Sequence, residues 1–160
     1  MSQETTQATE TEQVLEFRLG EETYCVSIAF VTEIVEMGEL TPIPNSPPHV
    51  EGIIDLRGST TSIIDPKVGL EIGGEIGRRI VIFDSQIFDD DRSIGWAVDS
   101  VREVSEVADE DVDESPIDRG HVQGLIKRES EFVVWIDPQA MDDEFASEMD
   151  PAAPEVAPRR

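Results

Sequence analysis

Gly52-Ile53-Ile54 … Ile64-Asp65-Pro66 and Gly124-Leu125-Ile126 … Ile136-Asp137-Pro138 are two versions of one phrase, 72 residues apart, each with 13 residues from the glycine to the aspartate. Upstream, Val31-Thr32-Glu33-Ile34-Val35-Glu36 is matched by Val101-Arg102-Glu103-Val104-Ser105-Glu106 at an offset of 70. A single Gly-apolar-apolar strand entry or apolar-Asp-Pro strand exit is common, but the ordered set with matched spacing indicates a duplication. A unit of this length is too long for a solenoid repeat and too small to bury an adequate core alone. The expectation is two similar small β-subdomains packed face to face around one core.

The rest of the chain reads as strands. Leu15, Phe17 and Leu19 alternate with polar residues, and Gly20-Glu21-Glu22 turns the chain into a second alternating run from Tyr24 to Ile28. Phe30, Val31, Ile34 and Val35 fall at helical spacing, which predicts a short helix over Ile28–Val35. Pro42, Pro44, Pro47 and Pro48 enforce an extended connection. Ile53–Leu56 and Thr60–Ile64 flank Arg57-Gly58-Ser59 as a hairpin in which Gly58 can supply a positive φ. Further strands are expected over Arg79–Phe83 and Ile94–Val98, around the acidic loop Asp89-Asp90-Asp91, and again at Gly124–Ile126 and Phe132–Ile136. Pro138 suits the first turn of a C-terminal helix through Met141 and Phe145. Residues 1–12 read as a disordered tail and 146–160 as a loose one, leaving a domain over 13–145 whose interleaved halves divide near residue 75.

Composition narrows the function. Asp and Glu number 36 against 12 Lys and Arg, a formal charge of −24, and aromatics are 6% of the chain. Such a surface repels phosphate backbones and anionic headgroups, so neither nucleic acid nor a membrane surface is an expected partner. The acidity suits either a partner-docking surface or adaptation to molar salt. Its spread along the chain, with only Lys67 and Lys127 as lysines, favours the salt reading. The N-terminus lacks a basic-then-apolar leader and no apolar run approaches a bilayer span, so a cytoplasmic location is expected.

Chemistry is sparse. His49 and His121 lie in polar loops without partners at ligand spacing and read as surface histidines. Cys25 alternates with Tyr24 and Val26 on a strand and reads as a packing residue in acidic surroundings. Asp55 and Asp65 bracket the Arg57 hairpin, but Asp65 recurs as Asp137, which points to a turn role rather than to acid–base work. The acidic runs lack the Ca²⁺-loop pattern, and no phosphate-cradling loop is present. No cofactor, metal or catalytic residue is expected. Arg57-Gly58, matched by Glu129-Ser130 in the other half, stands out as an arginine at a hairpin tip that neither solubility nor packing explains.

The series Ile43-Pro44-Asn45-Ser46-Pro47, Gly52-Ile53-Ile54-Asp55-Leu56-Arg57-Gly58, Ile63-Ile64-Asp65 and Gly95-Trp96-Ala97-Val98-Asp99-Ser100-Val101, in this order, resembles the CheW-type coupling proteins of chemotaxis. The resemblance runs from about Val14 to Met141. It implies a mainly β fold of two SH3-like five-stranded barrels with short helices. It also implies a non-enzymatic adaptor that bridges the cytoplasmic tips of chemoreceptors to the regulatory domain of the chemotaxis histidine kinase, recruited to membrane-associated arrays. By motif position, Glu33, Ile34, Arg57 and Gly58 fall in the region important for kinase and receptor coupling. Val31, Val98, Asp99 and Val101 fall near a cleft between the halves where a receptor helix tip would dock. The rival readings are a scaffold of the same type in a non-motility pathway and a small β-barrel ligand-binding module, which would need a basic face with exposed aromatics.

Overall fold

A computed structural model describes residues 11–88, 92–113, 120–128 and 130–149, with side chains described as far as Glu144. The first ten residues, residues 89–91 and 114–119, Glu129, the side chains of 145–149 and residues 150–160 lie outside the described residues. Eleven strands and two helices follow in order: β1 (Thr11–Leu19), β2 (Glu22–Ser27), β3 (Val31–Glu36), β4 (Val50–Leu56), β5 (Ser59–Ile64), α1 (Pro66–Gly69), β6 (Arg79–Phe83), β7 (Ile94–Val98), β8 (Ser100–Ala108), β9 (Val112–Asp113), β10 (Val122–Arg128), β11 (Glu131–Ile136) and α2 (Pro138–Met149). Thr11 and Glu12 are paired strand residues of β1, and α2 continues to Met149, so ordered chain extends into both stretches expected as tails.

The fold is mainly β, with a six-stranded sheet ordered β8-β1-β2-β11-β10-β9 and a five-stranded sheet ordered β3-β6-β7-β5-β4. Each sheet draws strands from both halves of the chain. The registers repeat along with the sequence. Val50 faces Ile64 and, past a bulge, Gly52 faces Ile63; 72 residues on, Val122 faces Ile136 and Gly124 faces Trp135. The parallel pair Tyr24 with Val134 has its counterpart in Ile94 with Ser62. β3 meets β6 through Ile34–Val81 and Val35–Ile80, as β8 meets β1 through Val104–Leu15 and Ser105–Val14. The extra strand is β9, whose Asp113–Leu125 pair corresponds to the single bridge Thr41–Ile53 in the other sheet. Five strands per half is therefore corrected to six and five: one half extends that contact by a residue pair and the other does not.

The helix expected over Ile28–Val35 is a second correction. One 3-10 turn, Ile28–Phe30, capped by the Ser27 hydroxyl, leads into strand β3. The register of β3 shifts between Val31 and Glu33, so both Val31 and Ile34 pack on the core between the sheets, while Val35 packs on the opposite face. A bulge inserts one residue into the two-residue alternation of a strand. It thereby produces the three-residue spacing that reads as helix.

The main core lies between the sheets. Leu15, Phe17, Tyr24 and Val26 of one face Val81, Phe83, Ile94, Trp96 and Val98 of the other, with Met141 of α2 closing one side. Trp96 sits at its centre, edge-on to Phe83 with centroids 4.9 Å apart and edge-on to Phe17 at 6.3 Å. Smaller cores occupy the far faces: Val14, Cys25, Val107, Ile126, Val133 and Trp135 on the six-stranded sheet, and Ile54, Ile63, Ile80, Ile82 and Ala97 on the five-stranded one.

Gly52 is the tightest point of the β4 bulge. Its φ is +154°, and a Cβ there would stand 2.4 Å from the carbonyl oxygen of Thr41. Gly58 also has positive φ, at +88°, but open space around it. Gly52→Ala is expected to lower stability by about 3 kcal/mol, seen as a reduced urea midpoint at unchanged slope, and Gly58→Ala by about 1 kcal/mol. Equal midpoints for the two variants would show that the bulge does not require this close approach.

Candidate docking surface

The hairpin between β4 and β5 is a two-residue turn with Arg57 at φ +51° and Gly58 at φ +88°. Both central residues take left-handed backbone, the type I′ arrangement that matches strand twist. The Gly58 N–H donates to Asp55 Oδ1 at 2.9 Å, closing the turn. Left-handed backbone is unfavourable for an arginine, yet Arg57 holds it with a side chain 69% exposed. Its guanidinium donates to Glu33 Oε2 across the mouth of the five-stranded sheet. That hydrogen bond is the main reason the guanidinium binds its proton more tightly than usual, and the Glu33 charge adds to it. An ion pair this exposed adds little to stability. It does hold two long side chains in register over a cleft of about 310 Å³ lined by Thr32, Leu56, Ser59, Ile82 and Ser93.

β3 joins this end of the sheet to the core between the sheets. Glu33 points to the cleft, while Val31 and Ile34, half-buried, pack against the shared core, as does Val101 from β8. Val98 is wholly buried in that core, so it backs the wall instead of presenting a surface. Asp99 occupies the crossover from β7 to β8. Its Oδ2 accepts the Gly20 N–H at 2.6 Å, its Oδ1 accepts Lys67 Nζ at 2.8 Å, and its own N–H donates to the Arg18 carbonyl at 3.0 Å. The structure thus brings Glu33, Arg57 and Gly58 to one rim. Val31 and Ile34 from β3, Val98 from β7 and Val101 from β8 all join the core between the sheets, while Asp99, itself exposed, is hydrogen-bonded at the β7–β8 crossover.

The two aspartates beside the hairpin do separate jobs. Asp55 serves the turn, whereas buried Asp65 caps α1 by accepting the Lys67 N–H at 3.0 Å, as Asp137 caps α2 by accepting the Gln139 N–H at 3.0 Å. Cys25 is buried, and that burial, with Glu16 adding to it, pushes its thiol far above the usual range, leaving it inert. Among the described residues, no group of three His, Cys, Asp or Glu could hold a metal ion. His121 corrects the surface assignment. It is buried, with Nδ1 2.7 Å from Glu144 Oε1, and tethers α2 to the six-stranded sheet. Sequence reading missed this pair because the partner lies 23 residues away on a helix whose docking side has no local signature. It missed Lys67 as well, although a rare lysine after an apolar-Asp-Pro strand exit was a signal.

The geometry is that of a scaffold: two sheets around a shared core, with an oriented arginine–glutamate pair at one rim. Residues 13–145 match the model of the CheW-like domain. The chain is 29% identical over 148 residues to the chemotaxis protein CheW of Rhizobium meliloti, covering 88% of this chain and 92% of that protein. It is 31% identical over 137 residues to the CheW of Treponema pallidum, covering 78% of each. The crystal structure of the scaffolding protein TtCheW from Thermoanaerobacter tengcongensis superposes with a TM-score of 0.72 at 29% identity, covering 82% of this chain and 92% of that one. The chain belongs to the CheW family of chemotaxis scaffold proteins, which are not enzymes.

Asp65 gives this region a pH signature. Burial raises its pKa, against the lowering effects of the Lys67 N–H and ammonium, and Asp99 raises it further. A carboxyl group bound more tightly to its proton in the folded state contributes stability that is fully present below its unfolded pKa and lost as pH rises through the folded one. Asp65→Asn keeps the cap and removes the titration. Wild-type protein is therefore expected to gain stability relative to the variant on going from about pH 7 to about pH 3. Parallel pH profiles of the urea midpoints would rule this out.

Proposed function

We propose that this chain is a cytoplasmic chemotaxis adaptor, bridging the cytoplasmic tips of chemoreceptors to the regulatory domain of the chemotaxis histidine kinase within membrane-associated arrays. The observation that carries the reading is the Arg57–Glu33 pair, oriented over a shallow cleft at the tip of a strained turn. A pair that does little for stability and still fixes two charged groups at a rim suits recognition of a partner's charged and polar groups. Val31, Ile34 and Val101, half-buried against the core between the sheets, offer apolar surface suited to one face of an amphipathic receptor helix. Val98 is buried in the same core. Among the described residues no helix is long and apolar enough to cross a membrane.

Arg57→Glu places two acidic side chains against each other at the rim. It is expected to leave the far-ultraviolet circular dichroism unchanged and to weaken capture of the kinase regulatory domain by about tenfold or more. Kinase capture at wild-type strength by a folded Arg57→Glu protein would remove Arg57 from the site.

The acidity belongs to a second part of the proposal, adaptation to molar salt. With 36 acidic against 12 basic side chains, self-repulsion opposes the compact state until salt screens it. Dialysis from molar KCl into dilute buffer is expected to unfold the protein cooperatively and reversibly. Native circular dichroism in dilute buffer would assign the acidity to partner docking instead.

A further inference from the structure

Lys67 is one of two lysines in the chain, and its side chain is 5% exposed. Its Nζ donates at 2.8 Å to Asp99 Oδ1 and at 2.8 Å to the carbonyl of Glu75. Through the other oxygen of Asp99 the link continues to the Gly20 N–H in the β1–β2 turn. One buried ammonium and one carboxylate therefore tie α1, which follows the five-stranded sheet, to a turn of the six-stranded sheet. They do so at the crossover where the chain passes between the two.

The duplication supplies an internal control. Lys67 corresponds to Gln139 at the offset of 72, and Asp99 to Ala29 at the offset of 70. In that half Gln139 Nε2 donates at 2.6 Å directly to the Ile87 carbonyl, in the connection between β6 and β7. That connection is the counterpart of the β1–β2 turn. A neutral amide is thus enough to fasten a helix to the opposite sheet's turn. Here a buried ammonium, 5% exposed, meets a carboxylate that is 32% exposed. Burying the ammonium is costly and is weak evidence for stability, and the better-attested use of such a pair is to specify one arrangement over its neighbours. Breaking such a pair leaves an uncompensated charge, which the structure relieves by moving.

We propose that the Lys67–Asp99 pair is a positioning clasp that fixes the placement of one sheet relative to the other. Val98 and Val101 flank Asp99 on either side of the crossover, so the clasp also sets the apolar wall that they form. Lys67, buried, acts through that wall. Only this last step rests on the docking reading above, because sheet placement is measurable without a partner.

Glu36 and Glu106 are exposed, pseudo-equivalent positions on β3 and β8, one in each sheet. Spin-labelled cysteines at these two sites report the distance between sheets by electron–electron resonance in the full chain, and buried Cys25 does not compete for label. In molar KCl the otherwise native protein and Lys67→Arg are expected to give one narrow distribution. Lys67→Met is expected to broaden it about twofold or more and to weaken receptor-tip binding. Arg57→Glu should leave the distance unchanged. A narrow, unshifted distribution in folded Lys67→Met overturns the clasp. If Lys67→Met does not fold, Asp99→Asn, which keeps an oxygen for Gly20, decides by the same measurement. A broadened distance with receptor binding intact keeps the clasp and removes the docking role of the Val98–Val101 wall.

Discussion

Everything in this molecule depends on strand exchange between its two halves. The half containing β1 and β2 places β3, β4 and β5 in the other sheet, and the half containing β6 and β7 does the same with its later strands. Two parallel pairings, β2 with β11 and β7 with β5, close the exchange. Each sheet would otherwise present unpaired strand edges and a half-covered apolar face, which a unit of this size cannot sustain. The sheets are consequently inseparable, and among the described residues the chain crosses between them only at Ser27–Val31 and Val98–Ser100. Long-range pairing of this kind, such as Tyr24 with Val134, also requires loop closure before it stabilises anything, which slows folding.

Much of the fold was legible because the duplication is written in strand entries and exits that are chemically constrained. Glycine is needed at the β4 and β10 bulges, and an aspartate is needed to cap the helix that follows β5 or β11. Those residues kept their types and spacing, so the repeat survived as sequence. The β3 bulge was not legible, because moving Val31 and Ile34 onto one face copies the spacing of a helix turn. β9 escaped because two acidic-flanked residues carry no period. At the site, Arg57 and Gly58 stood out from the turn chemistry, and Glu33 from the family pattern. That Asp99 is tied down within the fold was hidden, since its partners Lys67 and Gly20 are 32 and 79 residues away and no local rule joins them.

The two halves also differ in what lines their own small cores. On the five-stranded sheet, Val35, Leu56 and Ile82 pack together. The equivalent positions on the six-stranded sheet are Ser105, Arg128 and Glu16, where Glu16 is buried, pairs with Arg128 at 2.9 Å and accepts the Ser105 hydroxyl at 2.8 Å. An apolar core tolerates small shifts of its side chains, whereas a charged network in low dielectric demands that each partner stay in place. The six-stranded sheet is therefore the more geometrically specified of the two, and the clasp at Lys67 and Asp99 connects to it through the β1–β2 turn.

Broken symmetry, more than concavity, marks where the two halves of this fold differ. A duplicated scaffold needs its glycines, helix caps and core valines twice, and those are the features that repeat. Arg57 has Glu129 as its counterpart, Lys67 has Gln139, and Asp99 has Ala29. None of these three changes is required by packing, since the other half folds to the same registers without them. In a chain carrying a net charge of −24, each of the two cations is surrounded by a field that would solvate it cheaply at the surface. One is instead buried against a carboxylate between sheets, and the other is held in a strained turn against a glutamate. Both arrangements give up conformational freedom for position, which points to placement, not stability, as what distinguishes this half of the molecule from its copy.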